Sequence, residues 1–156
     1  LDIMVPILRA YPFDALISHN RFTLLNRSAS PMFDYAHKEG IAVLIAAPYA
    51  GGVLAKGAAV MPRITYQDAD DMALAPVREI ERICAEHECA PGAVALQFSM
   101  RDPRIAATVV GVTRPERIVQ TLDWAAQNIP DALWQALEKV PFGDEDPEAN
   151  REYRPG

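Results

Sequence analysis

The chain has no surplus of basic residues, no long apolar run and only two cysteines, and each shortage removes a class of function. Its 15 Lys and Arg stand against 21 Asp and Glu, with a pI ≈ 5.0. That balance leaves no basic footprint for nucleic acid or for an anionic lipid surface. No apolar run reaches the roughly 18 residues of a membrane span. The opening LDIMVPILRAYP has neither a charged n-region nor a small-residue cleavage site, so the expected compartment is the cytoplasm. Cys84 and Cys89 have no histidine pair or second cysteine pair at ligand spacing. This argues against zinc and for reduced, structural thiols. No Gly-x-Gly-x-x-Gly follows a strand, and no acidic residue stands about 20 positions beyond one, which argues against a Rossmann or flavodoxin-like binding domain. The expectation left is a soluble protein that handles a small molecule.

What is present suits a packed α/β chain. At 156 residues, 50% hydrophobic and 23% charged, it can bury a sizeable core and fits one domain or one piece of a larger one. Residues 41–54, IAVLIAAPYAGGVL, are the most telling. An uncharged run headed by Ile41 and Val43 suits a parallel strand covered on both faces. It runs into a Pro-Tyr-Ala-Gly-Gly turn at its C-terminal end, where α/β proteins place their chemistry.

Helices and strands alternate along the rest. Residues 1–11 read as the tail of a helix closed by Pro12, and 13–18 as a short apolar strand ending in Ser18, His19, Asn20 and Arg21. Ser30 and Pro31 read as an N-cap and N1 pair for a helix that Gly40 stops. Residues 55–71 form a connection long enough to be functional or mobile. Val77, Ile80, Ile83 and Cys84 are at helical spacing over 76–89; Pro91 and Gly92 interrupt before a second helix through Met100. Residues 106–111 are the third strand. Thr113 with Glu116 reads as a capping box opening a helix whose apolar face is Ile118, Leu122 and Trp124. A last helix starts near Pro130, and the Pro-rich acidic segment 141–156 is expected to be partly loose.

Three strands joined by helical crossovers imply right-handed βαβ units in a parallel sheet. Two apolar edges would then stand open and invite pairing with another chain. The opening in mid-helix without Met suggests a fragment of a larger domain.

GIAVLIAAPYAGGVL, followed after a helical hairpin by LQFSMRDPRIAATVVGVTRPERIVQTL, resembles the C-terminal half of an aldo-keto reductase. The sugar dehydrogenases that oxidise galactose, fucose or threo-aldoses are the nearest branch. The likeness runs from about Phe13 to about Val140. It implies an α/β fold, the C-terminal part of a (β/α)8 TIM barrel, with strands 13–18, 41–47 and 106–111 as the sixth, seventh and eighth. It also implies a nicotinamide cofactor, NADP or NAD, and hydride transfer to or from an aldose or other carbonyl or hydroxyl substrate. The family's catalytic Asp, Tyr, Lys and His sit on earlier strands, so no residue here matches them and the chain is expected to be inactive alone. The implied partners are a sugar or carbonyl substrate and the missing N-terminal half, or a second copy through the open edges. The alternative is a non-catalytic half-barrel that acts only by pairing or binding.

The resemblance carries over a cofactor half-site. His19 falls where the family often has a Gln that contacts the nicotinamide amide; a structural His at a strand end is the competing reading. Ala46 falls where many reductases place a Tyr that stacks under the nicotinamide, a role Tyr49 could take over unless it is a packing aromatic. Pro48, Ala50, Gly51 and Gly52 match the loop that passes the pyrophosphate, where backbone amides suit an anion. Gly111, Val112, Thr113 and Arg114 lead into a helix N-terminus, a second natural phosphate site. Arg117, Gln120 and Thr121 stand for the pattern that faces the adenosine. Gly111 replaces a Lys found in some reductases, while Arg114 and Arg117 could hold a 2′-phosphate, so the choice between NADP and NAD stays open.

Overall fold

The computed structural model describes residues 1–149. In chain order the elements are α1 Met4–Ala10, β1 Ala15–His19, α2 Ser30–Lys38, β2 Ala42–Ala46, a 3₁₀ turn Ala50–Gly52, α3 Val53–Lys56, a two-stranded hairpin β3 Arg63–Ile64 and β4 Gln67–Asp68, α4 Asp71–Glu86, α5 Pro91–Met100, β5 Ile105–Val109, α6 Pro115–Ala126 and α7 Asp131–Leu137. β1, β2 and β5 form one sheet in that order, parallel throughout, with His19 beside Ala46 and Ala46 beside Val109. The three strands expected from sequence therefore pair in the expected order and direction. Their C-terminal ends lie together.

The sheet is covered on one face only. Leu16 and Ser18 of β1, with Val43 and Ile45 of β2, are buried, and α2 packs on β2 while α5 packs on β5. The alternate positions are more open: Ile17 is 55% exposed, and Leu44 and Ala46 are only half-buried. This corrects the expectation of a strand covered on both faces. An uncharged run is compatible with either arrangement, because alternation is invisible when both faces carry apolar side chains. Two cores form behind the sheet: Phe22, Met32, Phe33, Val43 and Ile45 in one, and Val53, Val77, Ile80, Val94 and Leu133 in the other.

Several boundaries differ from the sequence reading. Ser30 is the first residue of α2, Ala29 holds the cap position, and no side chain caps the helix. α4 begins at Asp71 rather than Pro76, because the Asp70 carboxylate accepts the Ala73 amide at 2.8 Å. Pro76 sits inside the helix, in its second turn, where it removes one backbone hydrogen bond. The Thr113 and Glu116 capping box does not form: Arg114 is the cap residue and makes no side-chain cap bond. α6 buries no whole residue, and Ile118 and Leu122 remain 50% and 64% exposed. Trp124 does pack inward, against Gly92, where a Cβ would come within 2.3 Å of the indole.

The segment expected to be loose divides. Over 141–149 it folds back beside the loop after β1: the Gly143 amide donates to Leu25 O at 2.9 Å, the Arg27 amide to Gly143 O at 2.8 Å, and Asn26 Nδ2 to Glu145 O at 2.8 Å. Residues 150–156 lie outside the described residues. Cys84 and Cys89 are free and buried. No helix among the described residues is long and apolar enough to cross a membrane.

Candidate active site

The turn after β2 is built from left-handed backbone. Ala47 and Ala50 have φ of 58° and 50°, and Gly51 and Gly52 follow at 76° and 105°. Only glycine adopts such values without strain. At Gly51 a second reason applies: a Cβ there would stand 2.9 Å from the Tyr66 amide nitrogen. The β3–β4 hairpin thus sits directly on this turn, tied by the Thr65 amide donating to Ala50 O at 3.1 Å. Pro48 and Ala50 are buried within it.

Between this turn and α6 lies a groove of about 400 Å³. Of the fourteen residues carried over for the cofactor, nine line it: Tyr49, Gly52, Gly111, Val112, Thr113, Arg114, Arg117, Gln120 and Thr121. It continues into a wider depression of about 640 Å³ bounded by Lys56, Val60, Glu116 and Arg117. The remaining five, His19, Ala46, Pro48, Ala50 and Gly51, do not line the groove.

Lys56 escaped the sequence reading. It ends α3, with Gly57 as the C-cap at φ 88°, and lines both depressions. A short apolar turn closed by Lys-Gly is a helix-end signal, but it lies where 55–71 reads from sequence as a single connection. Lys56, Arg114 and Arg117 converge on one groove, and among the described residues none has a carboxylate partner at salt-bridge distance. Arg117 Nη1 donates to Gln120 Oε1 at 3.3 Å, and Thr121 Oγ1 donates to Arg117 O at 2.7 Å, which steadies the first turns of the helix. Tyr49 meets Trp124 edge-on with centroids 5.9 Å apart. Burial pushes its phenol up, partly offset by the Thr121 hydroxyl.

His19 lies elsewhere, at the end of β1. Its Nδ1 is 3.1 Å from Glu148 Oε1, Asn20 Nδ2 donates to the same oxygen at 2.7 Å, and Arg21 Nη1 donates to Glu148 Oε2 at 3.4 Å. Arg21 Nε also donates to Asp146 at 2.8 Å. Burial raises the Glu148 carboxyl, but the bonds from Asn20 and His19 and the charges of His19 and Arg21 outweigh it and hold the group below its ordinary range. The Tyr66 ring lies over the His19 imidazole, centroids 6.0 Å apart and 15° from parallel. None of this clustering was legible from spacing, since Glu148 and His19 are 129 residues apart.

The architecture finds counterparts among known proteins. The chain is 31% identical over 125 residues to a pyridoxal 4-dehydrogenase from Microbacterium luteolum, covering 80% of this chain and 36% of the relative. It is 26% identical over 141 residues to a D-threo-aldose 1-dehydrogenase from a Pseudomonas species, covering 89% of this chain and 43% of the relative. An aldo-keto reductase from Bacillus halodurans, solved in its holo form, superposes with a TM-score of 0.72 at 14% identity, over 97% of this chain and 50% of the other. The chain therefore spans half or less of the length of these relatives. The aldo/keto reductase family model matches residues 2–141, and the chain belongs to that family of oxidoreductases.

Proposed function

We propose that this chain carries the cofactor side of an NADP-dependent aldo/keto reductase that interconverts a hydroxyl or lactol carbon and its oxidised form in a small ring or sugar substrate. One observation supports the reading above the others. Lys56, Arg114 and Arg117 gather on one groove, and among the described residues none of the three has a carboxylate at salt-bridge distance, unlike Arg21, Arg63, Arg78, Arg82 and Arg104. Three unpaired cations beside an uncapped helix N-terminus suit a ligand with several phosphates. Lys56 supplies from α3 a charge that Gly111 does not, which favours the 2′-phosphorylated cofactor.

The residues fit such a cofactor as follows. Gly111 to Arg114 and the amides of α6 would hold phosphate oxygens, while Arg117 and Gln120 would meet the adenosine end. When bound, the nicotinamide supplies hydride transfer. The chain's own side chains orient it and exclude water; the acid–base groups belong to strands that the chain does not contain, so turnover needs the rest of the barrel. The bare face of the sheet, with Ile17 and Val109 exposed at its two edges, supports the reading that β1, β2 and β5 are the sixth to eighth strands of a (β/α)8 barrel completed by other strands. It equally supports the second reading, a half-barrel that acts only by pairing its open edges. The pyridoxal and threo-aldose dehydrogenases among the relatives point to hydroxylated cyclic substrates.

Calorimetric titration of the 156-residue chain with NADP⁺ and NAD⁺ tests the proposal. Saturable binding with NADP⁺ the tighter is expected, together with no turnover of aldoses or pyridoxal. Absence of binding for both cofactors leaves only the pairing reading. Turnover by the chain alone would overturn the assignment of catalysis to the missing strands.

A further inference from the structure

A second cavity lies behind the sheet, apart from the groove. It has a volume of about 310 Å³ and is bounded by the stretch after β1, by the C-terminal end of α5 with the turn that follows it, and by α7. Phe22 belongs to one of the two cores, Leu24 and Leu137 belong to the other, and Phe98 packs against both. The cavity therefore opens at the seam between the cores, where neither fills the space. Its walls share no residue with the groove.

The charges around it are cationic in balance. Arg27, Arg101, Asp102 and Glu138 all line the cavity. Asp102 is committed to Arg104, whose Nε and Nη2 donate to its two carboxylate oxygens at 2.9 and 2.6 Å. Among the described residues, Arg27 and Arg101 have no carboxylate at salt-bridge distance. Two guanidinium groups are thus set against the carboxylate of Glu138.

Arg27 is the more telling of the two. Its guanidinium carbon stands 3.8 Å from the centre of the Phe142 ring and 5.1 Å from that of Phe98, so its near neighbours are rings and not acceptors. Its Nε is buried and has no hydrogen-bond partner among the described residues. A buried donor without an acceptor is uncommon in a folded chain. Burial pushes this guanidinium below its ordinary pKa, and the charge of Glu138 restores only part of the loss. Arg101 lies over the Trp134 ring at 4.2 Å.

A cavity of this size suits a molecule of one or two rings. Its apolar walls accept a flat ring, and the edge of a guanidinium matches a carboxylate through parallel N–H bonds. We propose that the cavity is a ligand site for a small aromatic carboxylate, with the carboxylate on Arg27 and Arg101 and the ring against Leu24, Trp134 and Leu137. The site is independent of the cofactor reading. Glu138 tempers its affinity, so removing that charge tightens binding.

Titration of the ¹⁵N-labelled 156-residue chain with 2-naphthoate tests the proposal, following the indole N–H signals of Trp134, which lines this cavity, and of Trp124, which lines the groove. The expected result is a saturable shift of Trp134 with Trp124 unmoved, and binding about tenfold weaker for the neutral 2-naphthamide. Arg101→Gln and Glu138→Gln both alter exposed side chains and act in opposite directions. R101Q should weaken 2-naphthoate about fivefold to tenfold, and E138Q should tighten it about two- to threefold. No shift of Trp134 at millimolar 2-naphthoate overturns the proposal. So does a shift of Trp124 in place of Trp134, which would put the anion in the groove. Equal affinity for the acid and the amide, or an unchanged affinity in R101Q, would also overturn it and make the cavity an apolar cleft without an anion site.

Discussion

The two ends of the sheet's C-terminal rim treat charge in opposite ways. At β1, the charged groups at the strand end are matched from within: Arg21 reaches Asp146 and Glu148, and His19 and Asn20 share the Glu148 carboxylate. At β5, Lys56, Arg114 and Arg117 face a groove of about 400 Å³ with no acid at salt-bridge distance among the described residues. Cations gathered on one wall without an acid at salt-bridge distance suit an external anion, which is the basis of the proposed phosphate site. The β1 end teaches the complementary lesson. Donors that bond a carboxylate of the same chain build the rim, and the tail becomes part of the wall.

The sharpest way to break this contrast is to remove the floor of the groove. Gly92→Ala would press a methyl into the Trp124 indole, which a Cβ already meets at 2.3 Å, and displace α6 from α5. The expected cost is on the order of 1–3 kcal/mol of stability, read as a lower thermal midpoint, together with loss of groove binding. An unchanged midpoint would mean that α6 is seated by other contacts, such as Gln97 Nε2 donating to Trp124 O at 2.8 Å.

Arg117→Ala should act on the ligand alone. Loss of a charge-assisted contact weakens binding on the order of 1–3 kcal/mol, more for NADP⁺ than for NAD⁺ if the contact is to the 2′-phosphate. Equal weakening would indicate stacking on adenine. Dissociation constants unchanged for both would show that Arg117 only solvates its helix. Lys56→Ala is expected to follow the same pattern with a smaller loss, about 1 kcal/mol, since an ammonium at the rim is more hydrated and lacks the bidentate fork.

The smallest effect belongs to the β1 end. Because Glu148 is held below the ordinary carboxylate range, its stabilising contribution is present above the pKa of the unfolded chain and is lost as pH falls through the lower folded value. Protection factors of the amides at 143–148, which correct for the intrinsic pH dependence of exchange, should therefore fall below about pH 4, and Glu148→Gln should remove most of that dependence while leaving groove affinity as it was. Protection factors in this segment that do not change with pH would separate the tail from the Glu148 bonds.

Much of this was legible in the sequence, and the gaps have physical causes. The strands, their order and the helix stop at Gly40 follow from local pattern and crossover handedness. Nine groove residues follow from resemblance in register, since residues on one turn or one helix face stay together wherever that element goes. Lys56 was hidden by a short helix of four residues. The left-handed turn at Thr65 and Tyr66 was hidden because neither residue type advertises a positive φ. The docking of 141–149 depends on contacts across more than 100 residues, such as Asn26 with Glu145 at a separation of 119, which no local signal announces. The apparent capping box failed because Arg114, not Thr113, took the cap position.

The central claim is that the groove between the Tyr49–Gly52 turn and α6 receives the phosphates of the cofactor. Titration of the ¹⁵N-labelled chain with NADP⁺ at low salt, following backbone amides, addresses it most directly. The account predicts saturable shifts concentrated at Gly111 to Gln120 and at Lys56, weakened as ionic strength rises. Shifts confined to other surfaces, or none at these residues at millimolar NADP⁺, would contradict it.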